Sequence, residues 1–212
     1  MSFDLNILAA CRVVPVITID SPESALPLAD ALLEGGLPVA EITFRTAAAA
    51  EVIRRLAEKR PELLVGAGTI LTHENIEAAR AAGAKFGVAP GFNPDIIEIA
   101  EECDWPFIPG VCTPSEIEAA LAMDCKLLKF FPAGAMGGTR LLKAIAAPYA
   151  HTGVRFLPTG GVTADNLAEY LAIPGVLACG GTWIASRDDI KSGNWPLIVD
   201  RCRQVAEIVS KC

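Results

Sequence analysis

The sequence predicts an α/β protein, a (β/α)8 TIM barrel preceded by a short N-terminal docking helix, with residues 1–212 as a single domain. First, eight short apolar runs alternate with alanine-rich amphipathic segments at intervals of roughly 21 to 27 residues, the rhythm of repeated βα units. Second, the runs are almost continuously apolar, as parallel strands buried on both faces are. Third, 212 residues with 52% hydrophobic and 20% charged side chains suit one large domain.

The eight predicted strands define the order of the barrel. They are 13–19, 39–44, 63–70, 85–90, 106–112, 127–132, 154–159 and 176–183. Eight βα units close most economically into a barrel. A doubly wound open sheet is the alternative.

The predicted helices begin and end on recognisable signals. The segments SPE at 21–23 and TPSE at 113–116 each place a hydroxyl before a first-turn proline and an acid in the first turn. Gly35, Gly83 and Gly175 stand where helices would end. The opening segment, 1–12, has no basic residues ahead of its apolar stretch, so we expect a docking helix and not a signal peptide.

Composition narrows the classes of partner. A net charge of -7 and a pI near 4.9 leave no basic surface for nucleic acid or for a membrane, which favours a small-molecule substrate. The longest uncharged run, 170–186, is shorter than the roughly 20 apolar residues of a membrane span. Seven cysteines without a CxxC pair indicate a reducing, cytoplasmic location.

The second predicted strand carries an acid and a base. In VAEITFRT, period-two alternation puts Glu41, Thr43 and Arg45 on one face, with Ile42 and Phe44 on the other. Arg45 suits a carboxylate or phosphate, and Glu41 would act as a general acid or base if burial favours its protonated form. The alternative is a buried ion pair that only completes the barrel floor.

The sixth predicted strand contains a lysine. In KLLKFFPAG, Lys129 and Phe131 face the interior and Leu128 and Phe130 face outward. A lysine held among leucine and phenylalanine loses solvation of its charged form, so neutral amine becomes available to attack a carbonyl. The alternative is a lysine that extends out of the barrel end to reach water.

Paired glycines follow the seventh and eighth strands. The pairs at 160–161 and 180–181 lie beside Thr159 and Thr182, in the loops where this architecture usually binds phosphate. Ordinary tight turns are the alternative.

Metal and nucleotide chemistry have little support in the sequence. The two histidines, His73 and His151, are not at ligand spacing from each other or from a cysteine, so we expect no metal. No GxSxG or GxGxxG motif occurs, which disfavours the common hydrolase and dinucleotide sites.

Taken together, these segments resemble the bacterial 2-keto-3-deoxy-6-phosphogluconate (KDPG) aldolases, which also act as 4-hydroxy-2-oxoglutarate (KHG) aldolases. The resemblance covers nearly the whole chain. Its motifs, in order, are VVPVI, EITFRT, VGAGTI, APG, FIPGVCTPSE, KFFPA, PTGGV and GGTW.

The resemblance implies a class I aldolase on a (β/α)8 barrel, a homotrimer that needs no metal or other cofactor. It makes Lys129 the Schiff-base nucleophile and Glu41 the proton shuttle. The implied pyruvyl site consists of Arg45, Thr69, Pro90 and Phe131. The implied site for the phosphate and nearby hydroxyls consists of Thr159, Gly160, Gly161, Gly181 and Thr182.

Two positions depart from the family pattern. Thr182 stands where the family commonly has serine, which bears on substrate preference, and Gly134 stands where an acid often follows KFFPA. Three alternatives to a KDPG/KHG enzyme stay open at this point: a galactonate-specific homologue, a phosphosugar isomerase or epimerase, and a non-catalytic binding barrel.

Overall fold

A computed structural model describes residues 5–212, in which parallel strands alternate with helices. The strands are β1 Val13–Ile17, β2 Val39–Thr43, β3 Leu64–Gly68, β4 Gly87–Val88, β5 Phe107–Ile108, β6 Gly110–Val111, β7 Leu127–Phe130, β8 Arg155–Pro158 and β9 Cys179–Gly181. The helices are α1 Leu5–Cys11, α2 Ala25–Glu34, α3 Ala49–Lys59, α4 His73–Ala81, α5 Pro94–Glu102, α6 Pro114–Ala122, α7 Gly138–Ala146, α8 Leu167–Leu171, α9 Arg187–Ser192 and α10 Trp195–Val209. Two 3-10 helices span Pro22–Ser24 and Ala147–Thr152.

The strands form two parallel sheets. One sheet has the order β5-β4-β3-β2-β1-β9 and the other β6-β7-β8. Only Pro109 separates β5 from β6, and bridges from Phe156 to Val176 and from Thr159 to Gly180 link β8 to the β9 segment. The predicted α/β class with parallel strands is confirmed.

The apolar runs become strands because both of their faces are covered. All five residues of β1 and all five of β2 are buried, which explains why neither run alternates between apolar and polar residues as a half-exposed strand does. The run predicted at 106–112 contains two short strands, since Pro109 has no backbone N–H to donate to a neighbouring strand.

One predicted helix start is supported in detail, and the other begins a 3-10 helix without the predicted side-chain cap. Thr113 caps α6 through a capping box, accepting from the Glu116 backbone while the Glu116 carboxylate accepts from the Thr113 N–H. Ser21 instead donates to the Glu23 carboxylate at 2.5 Å and caps nothing. The chain at 22–24 is therefore a 3-10 turn, and α2 begins at Ala25.

The buried apolar side chains form two clusters. The larger one lies between the strands and the surrounding helices. The smaller one gathers residues from α1 and from most of the strands: Leu8, Val14, Val39, Phe86, Val88, Ile108, Leu127, Leu157, Leu177 and Ala178. We call this smaller cluster the apolar layer.

Candidate active site

Buried polar side chains lie directly beyond the apolar layer, toward the carboxyl ends of the strands. The structure describes four of them, namely Glu41, Thr43, Lys129 and Thr159. Three of them follow a residue of the apolar layer by two positions, on the same strand or its extension, and therefore lie on the same face. The pairs are Val39 and Glu41, Leu127 and Lys129, and Leu157 and Thr159. We call Glu41, Thr43, Lys129 and Thr159 the polar layer.

Lys129 and Glu41 contact each other across the space between the two sheets. The Lys129 Nζ donates to Glu41 Oε1 at 3.0 Å and lies 3.4 Å from Oε2. Lys129 is 4% exposed and Glu41 1% exposed, and their strands, β7 and β2, are not neighbours in either sheet. Because the pair is neutral as a whole, a proton can pass from the amine to the carboxylate without creating a net buried charge.

Gly68 provides the space that the Glu41 carboxylate occupies. A Cβ at position 68 would lie 2.2 Å from Glu41 Oε1 and 2.7 Å from its Cγ, which is too close for any side chain. Gly68 is the last residue of β3 and pairs in register with Thr43. The sequence interpretation missed this role, and its only signal is the second glycine of VGAGTI.

The Phe131 ring borders the Lys129 amine. The Lys129 Nζ lies 5.7 Å from the centroid of that ring, within the range of a cation–π contact. On the other side, Gly110 pairs in register with Lys129, and its N–H donates to the Gly91 carbonyl at 3.1 Å. That bond brings the segment containing Pro90 to the strand beside the lysine.

Arg45 and Thr69 form a pair at the mouth of the site. The Arg45 Nε donates to Thr69 Oγ1 at 3.1 Å, and Arg45 is exposed to solvent. Thr69 has a left-handed backbone with φ of 58°, a conformation that is uncommon outside glycine and is found at many functional positions. The guanidinium keeps N–H donors available for an anion.

A pair of threonines extends the polar layer to β1. The Thr43 Oγ1 lies 3.0 Å from the Ile17 carbonyl and 3.0 Å from Thr18 Oγ1. Sequence reasoning named Thr43 but not Thr18, because the residue after β1 carries no motif.

The loop after β8 presents backbone at the same end. Gly160 and Gly161 have φ values of 85° and 84°, which a residue with a side chain adopts only with strain. Backbone N–H groups of Ala133 and Gly134 donate to the carbonyls of Thr159 and Gly160 at 2.8 and 2.7 Å. These bonds hold the glycine loop against the chain that follows Lys129.

The chain at the end of β9 lies beside the glycine loop that follows β8. Gly181 is buried and Thr182 is exposed. Within residues 5–212, the Trp183 Nε1 is a buried side-chain nitrogen without a hydrogen-bond partner. A buried donor left unpaired costs roughly 1–3 kcal/mol, so an acceptor from water or from a ligand would be stabilising there.

Two kinds of feature are not found in the part of the chain that the structure describes. No group of three or more His, Cys, Asp or Glu side chains is arranged to hold a metal ion, and both His73 and His151 are exposed. Among residues 5–212, no helix has the length and apolar character to cross a membrane.

Comparison with known proteins places these residues in a family context. The family model "KDPG and KHG aldolase" matches residues 5–201. The chain is 46% identical to the 2-dehydro-3-deoxy-phosphogluconate aldolase of Haemophilus influenzae, over 95% of this chain and 94% of that protein. It is 41% identical to the KHG/KDPG aldolase of Escherichia coli, over 95% and 94%.

A solved structure gives the same likeness in three dimensions. The KDPG aldolase of Legionella pneumophila, crystallised with pyruvate captured as a covalent carbinolamine intermediate, superposes with a TM-score of 0.91 at 41% identity. The match covers 96% of this chain and 98% of that one.

Proposed function

The chain belongs to the KDPG and KHG aldolase family, and we propose that it cleaves KDPG to pyruvate and glyceraldehyde 3-phosphate through a Schiff base on Lys129. The enzyme is a class I aldolase, a carbon–carbon lyase. We further propose that it cleaves KHG to pyruvate and glyoxylate.

The observation that carries the proposal is the contact between Lys129 and Glu41. A lysine that is 4% exposed, with its Nζ 3.0 Å from a carboxylate that is 1% exposed, is poorly explained as a device for stability. Buried ion pairs are often no more stabilising than apolar side chains of similar volume. An amine beside a proton acceptor is, in contrast, what imine formation requires.

Imine formation begins when Lys129 transfers a proton to Glu41 and the neutral Nζ attacks the keto carbon of the substrate. The carbonyl oxygen takes up the proton that the newly bonded nitrogen gives up, which yields a carbinolamine. Glu41 then uses the proton it received to protonate that hydroxyl, so that it leaves as water. The resulting iminium is an electron sink next to carbon three.

Cleavage then takes place between carbons three and four. Glu41, or a water that it orients, removes the proton from the hydroxyl on carbon four, the aldehyde leaves, and the bonding electrons form an enamine of pyruvate. Protonation of that enamine and hydrolysis release pyruvate and restore the amine. No metal or other cofactor takes part in this scheme.

Substrate orientation falls to the groups around the amine. Arg45 and Thr69 bind the carboxylate so that the breaking bond stands perpendicular to the iminium plane, and Pro90 and Phe131 pack against the pyruvyl carbons. Such positioning contributes several kcal/mol in well-oriented reactions, roughly 7–11 at most. Thr159, Gly160, Gly161, Gly181 and Thr182 hold the phosphate and nearby hydroxyls.

Trapping the imine tests the proposal. Pyruvate with borohydride should add a reduced pyruvyl group to Lys129, located by peptide mass spectrometry, and Lys129→Ala should abolish both trapping and cleavage. Lys126→Ala is the matched control, because Lys126 is exposed on the same segment and should leave both unchanged. Full cleavage activity in Lys129→Ala would refute the mechanism.

We propose that residues 1–212 form one domain whose strands close into a (β/α)8 barrel, with α1 docked across the amino ends of the strands. Support comes from the bridges between β8 and the β9 segment, the near-continuity of β5 and β6, and the burial of Leu8 in the apolar layer. Amide exchange tests closure: the Gly180 region should exchange as slowly as β2.

We propose that the enzyme is a cytoplasmic homotrimer. Leu71 is 53% exposed and borders an apolar cavity of about 190 Å3 that Phe92 also lines, a surface suited to contact with another copy. All seven cysteines are free, in keeping with a reducing compartment. Sedimentation equilibrium should give three times the 22.3 kDa chain mass, and a monomer would refute the assembly alone.

A further inference from the structure

A second group of charged side chains lies at the carboxyl-end rim, outside the site described above. The chain that follows β1 and the helix α9 border a cavity of about 480 Å3. Its charged lining residues are Asp20, Arg187 and Lys191. This cavity therefore carries one more positive than negative charge, in a protein whose net charge is -7.

Strand register places this cavity next to the proposed phosphate site. Pro15 of β1 pairs with Gly181 of β9, so Thr182 is level with the residue after Pro15. The cavity begins two residues further along the chain, at Thr18, directly after β1. Because the Thr18 hydroxyl lies 3.0 Å from that of Thr43, the cavity adjoins the polar layer.

Arg187 and Asp20 form a two-point ion pair that joins the chain after β1 to the start of α9. The Arg187 Nε and Nη2 donate to the two oxygens of Asp20 at 2.6 and 2.5 Å. Both side chains are largely open to solvent, at 60% and 45% exposure. These hydrogen bonds lower the pKa of Asp20, and the charge of Lys191 adds to the effect.

A second ion pair, between Asp189 and Arg201, fixes the start of α9, which carries Arg187. Asp189 accepts from Ser186 Oγ and from Arg201 Nη1 of α10, both at 2.5 Å. Arg201 is 27% exposed and Asp189 15% exposed, so this second ion pair is much less solvated than the first. The outward-facing Arg187 is thus presented on an anchored turn, and its own ion pair is not needed to hold α9.

The proposed phosphate site is short of positive charge. Thr159, Thr182 and the glycine loops offer hydroxyl and backbone N–H groups, whereas Arg45 bonds to Thr69 at the pyruvyl end. A phosphate carries nearly two negative charges at neutral pH, and cations at a rim attract such a group and bind it through charge-assisted hydrogen bonds.

Building on the aldolase function proposed above, we propose that Arg187 and Lys191 select substrates that end in a phosphate, with Asp20 moderating the charge of Arg187. A six-carbon phosphorylated substrate reaches toward this cavity when its keto carbon is at Lys129. KHG has five carbons and ends in a singly charged carboxylate, so it stops short. Arg187 and Lys191 therefore determine specificity and take no part in bond cleavage.

Paired kinetics on KDPG and KHG test the proposal. Arg187→Ala should lower kcat/KM for KDPG about tenfold, the effect of losing one charged hydrogen-bonding group, and Lys191→Ala should lower it about threefold by the same reasoning. KHG cleavage should change less than about twofold in both variants. Arg187→Lys keeps the charge but not the planar two-point geometry, so it should retain only part of the preference.

Asp20→Asn separates a role in selection from a purely structural one. If Asp20 moderates the charge of Arg187, the variant should raise kcat/KM for KDPG by roughly twofold. If the ion pair only braces the loops, Asp20→Asn and Arg187→Ala should lower both activities together, and that result would overturn the proposal. Equal losses for KDPG and KHG in Arg187→Ala would overturn it as well.

Arg203→Ala is the matched control. Arg203 is 56% exposed and forms an ion pair with Glu34 on α2. The substitution therefore removes a similar charge from another surface, and it should leave the ratio of kcat/KM for KDPG to that for KHG unchanged. Pyruvate trapping on Lys129 should proceed normally in every variant. Failure of trapping in the unaltered chain would count against the proposed aldolase function, whereas an unchanged KDPG rate in Arg187→Ala would count against the selection role alone.

Discussion

The apolar layer and the polar layer lie on the same strands, two residues apart along the chain, and differ in the kind of side chain that is buried. In the apolar layer, Val39, Leu127 and Leu157 pack together beneath Leu8 of α1. In the polar layer, two residues further along the strands, the buried groups include the amine of Lys129 and the carboxylate of Glu41. The first layer gains free energy by excluding water, whereas the second must compensate for lost hydration through direct contacts. Stability and chemistry are therefore expected to respond to different substitutions.

The largest expected effect on chemistry comes from Glu41→Gln. Glutamine keeps the size of the side chain but cannot shuttle a proton, so kcat should fall by about 10²- to 10⁴-fold. The thermal midpoint should fall as well, because the amide still accepts from Lys129 but no longer balances its buried charge. The loss of kcat, and not the loss of stability, distinguishes this variant from a core truncation. Steady-state cleavage of KDPG and a thermal melt on the same sample provide the measurement.

Glu41→Asp is the control that keeps the acid and shortens its reach. It should retain more activity than Glu41→Gln, since a water can span the added gap. If the amide and the shorter acid were equally active, Glu41 would have no part in proton transfer, and the polar layer would be a structural feature.

Gly68→Ala would place apolar volume directly into the polar layer. Its Cβ would come within 2.2 Å of Glu41 Oε1, so the carboxylate must move away from Lys129. We expect kcat to fall at least tenfold, because proton transfer between the two groups depends on their contact, with a stability loss of about 1–3 kcal/mol from overpacking. Gly91→Ala, where a Cβ meets nothing within 4 Å, is the matched control.

The role of Gly68 shows where sequence reasoning stops. Period-two alternation predicted that Glu41 and Lys129 face inward, because side-chain direction in a strand is a local property. That the two residues touch across the interior, and that Gly68 clears the space, depends on strands far apart in the chain. Ser21, predicted to cap a helix, donates to Glu23 and accepts from no backbone N–H, a side-chain conformation that the motif alone does not specify.

Leu177→Ala reverses the comparison by changing the apolar layer alone. Leu177 is 5% exposed, and truncating a buried leucine lowers the free energy of unfolding by about 2–5 kcal/mol. Because Leu177 pairs in register with neither Lys129 nor Glu41, kcat well below the melting temperature should change less than about threefold. Chemical denaturation and steady-state rates at 25 °C check the two parts separately. A loss of kcat as large as that of Gly68→Ala would mean that the two layers are not independent.

The smallest expected effect concerns the rim, where the interior meets the substrate's phosphate. Thr182 is exposed after β9, and its hydroxyl is the group proposed to bind there. Thr182→Ser keeps that hydroxyl, so kcat/KM for KDPG should change less than about threefold, whereas Thr182→Ala should cost about tenfold by removing a hydrogen bond to a charged group. KHG, which lacks the phosphate, should respond weakly to both. If Thr182→Ser lowered kcat/KM as much as Thr182→Ala, the methyl group of Thr182 and not its hydroxyl would be the important part. Packing would then matter at this position, as it does in the apolar layer.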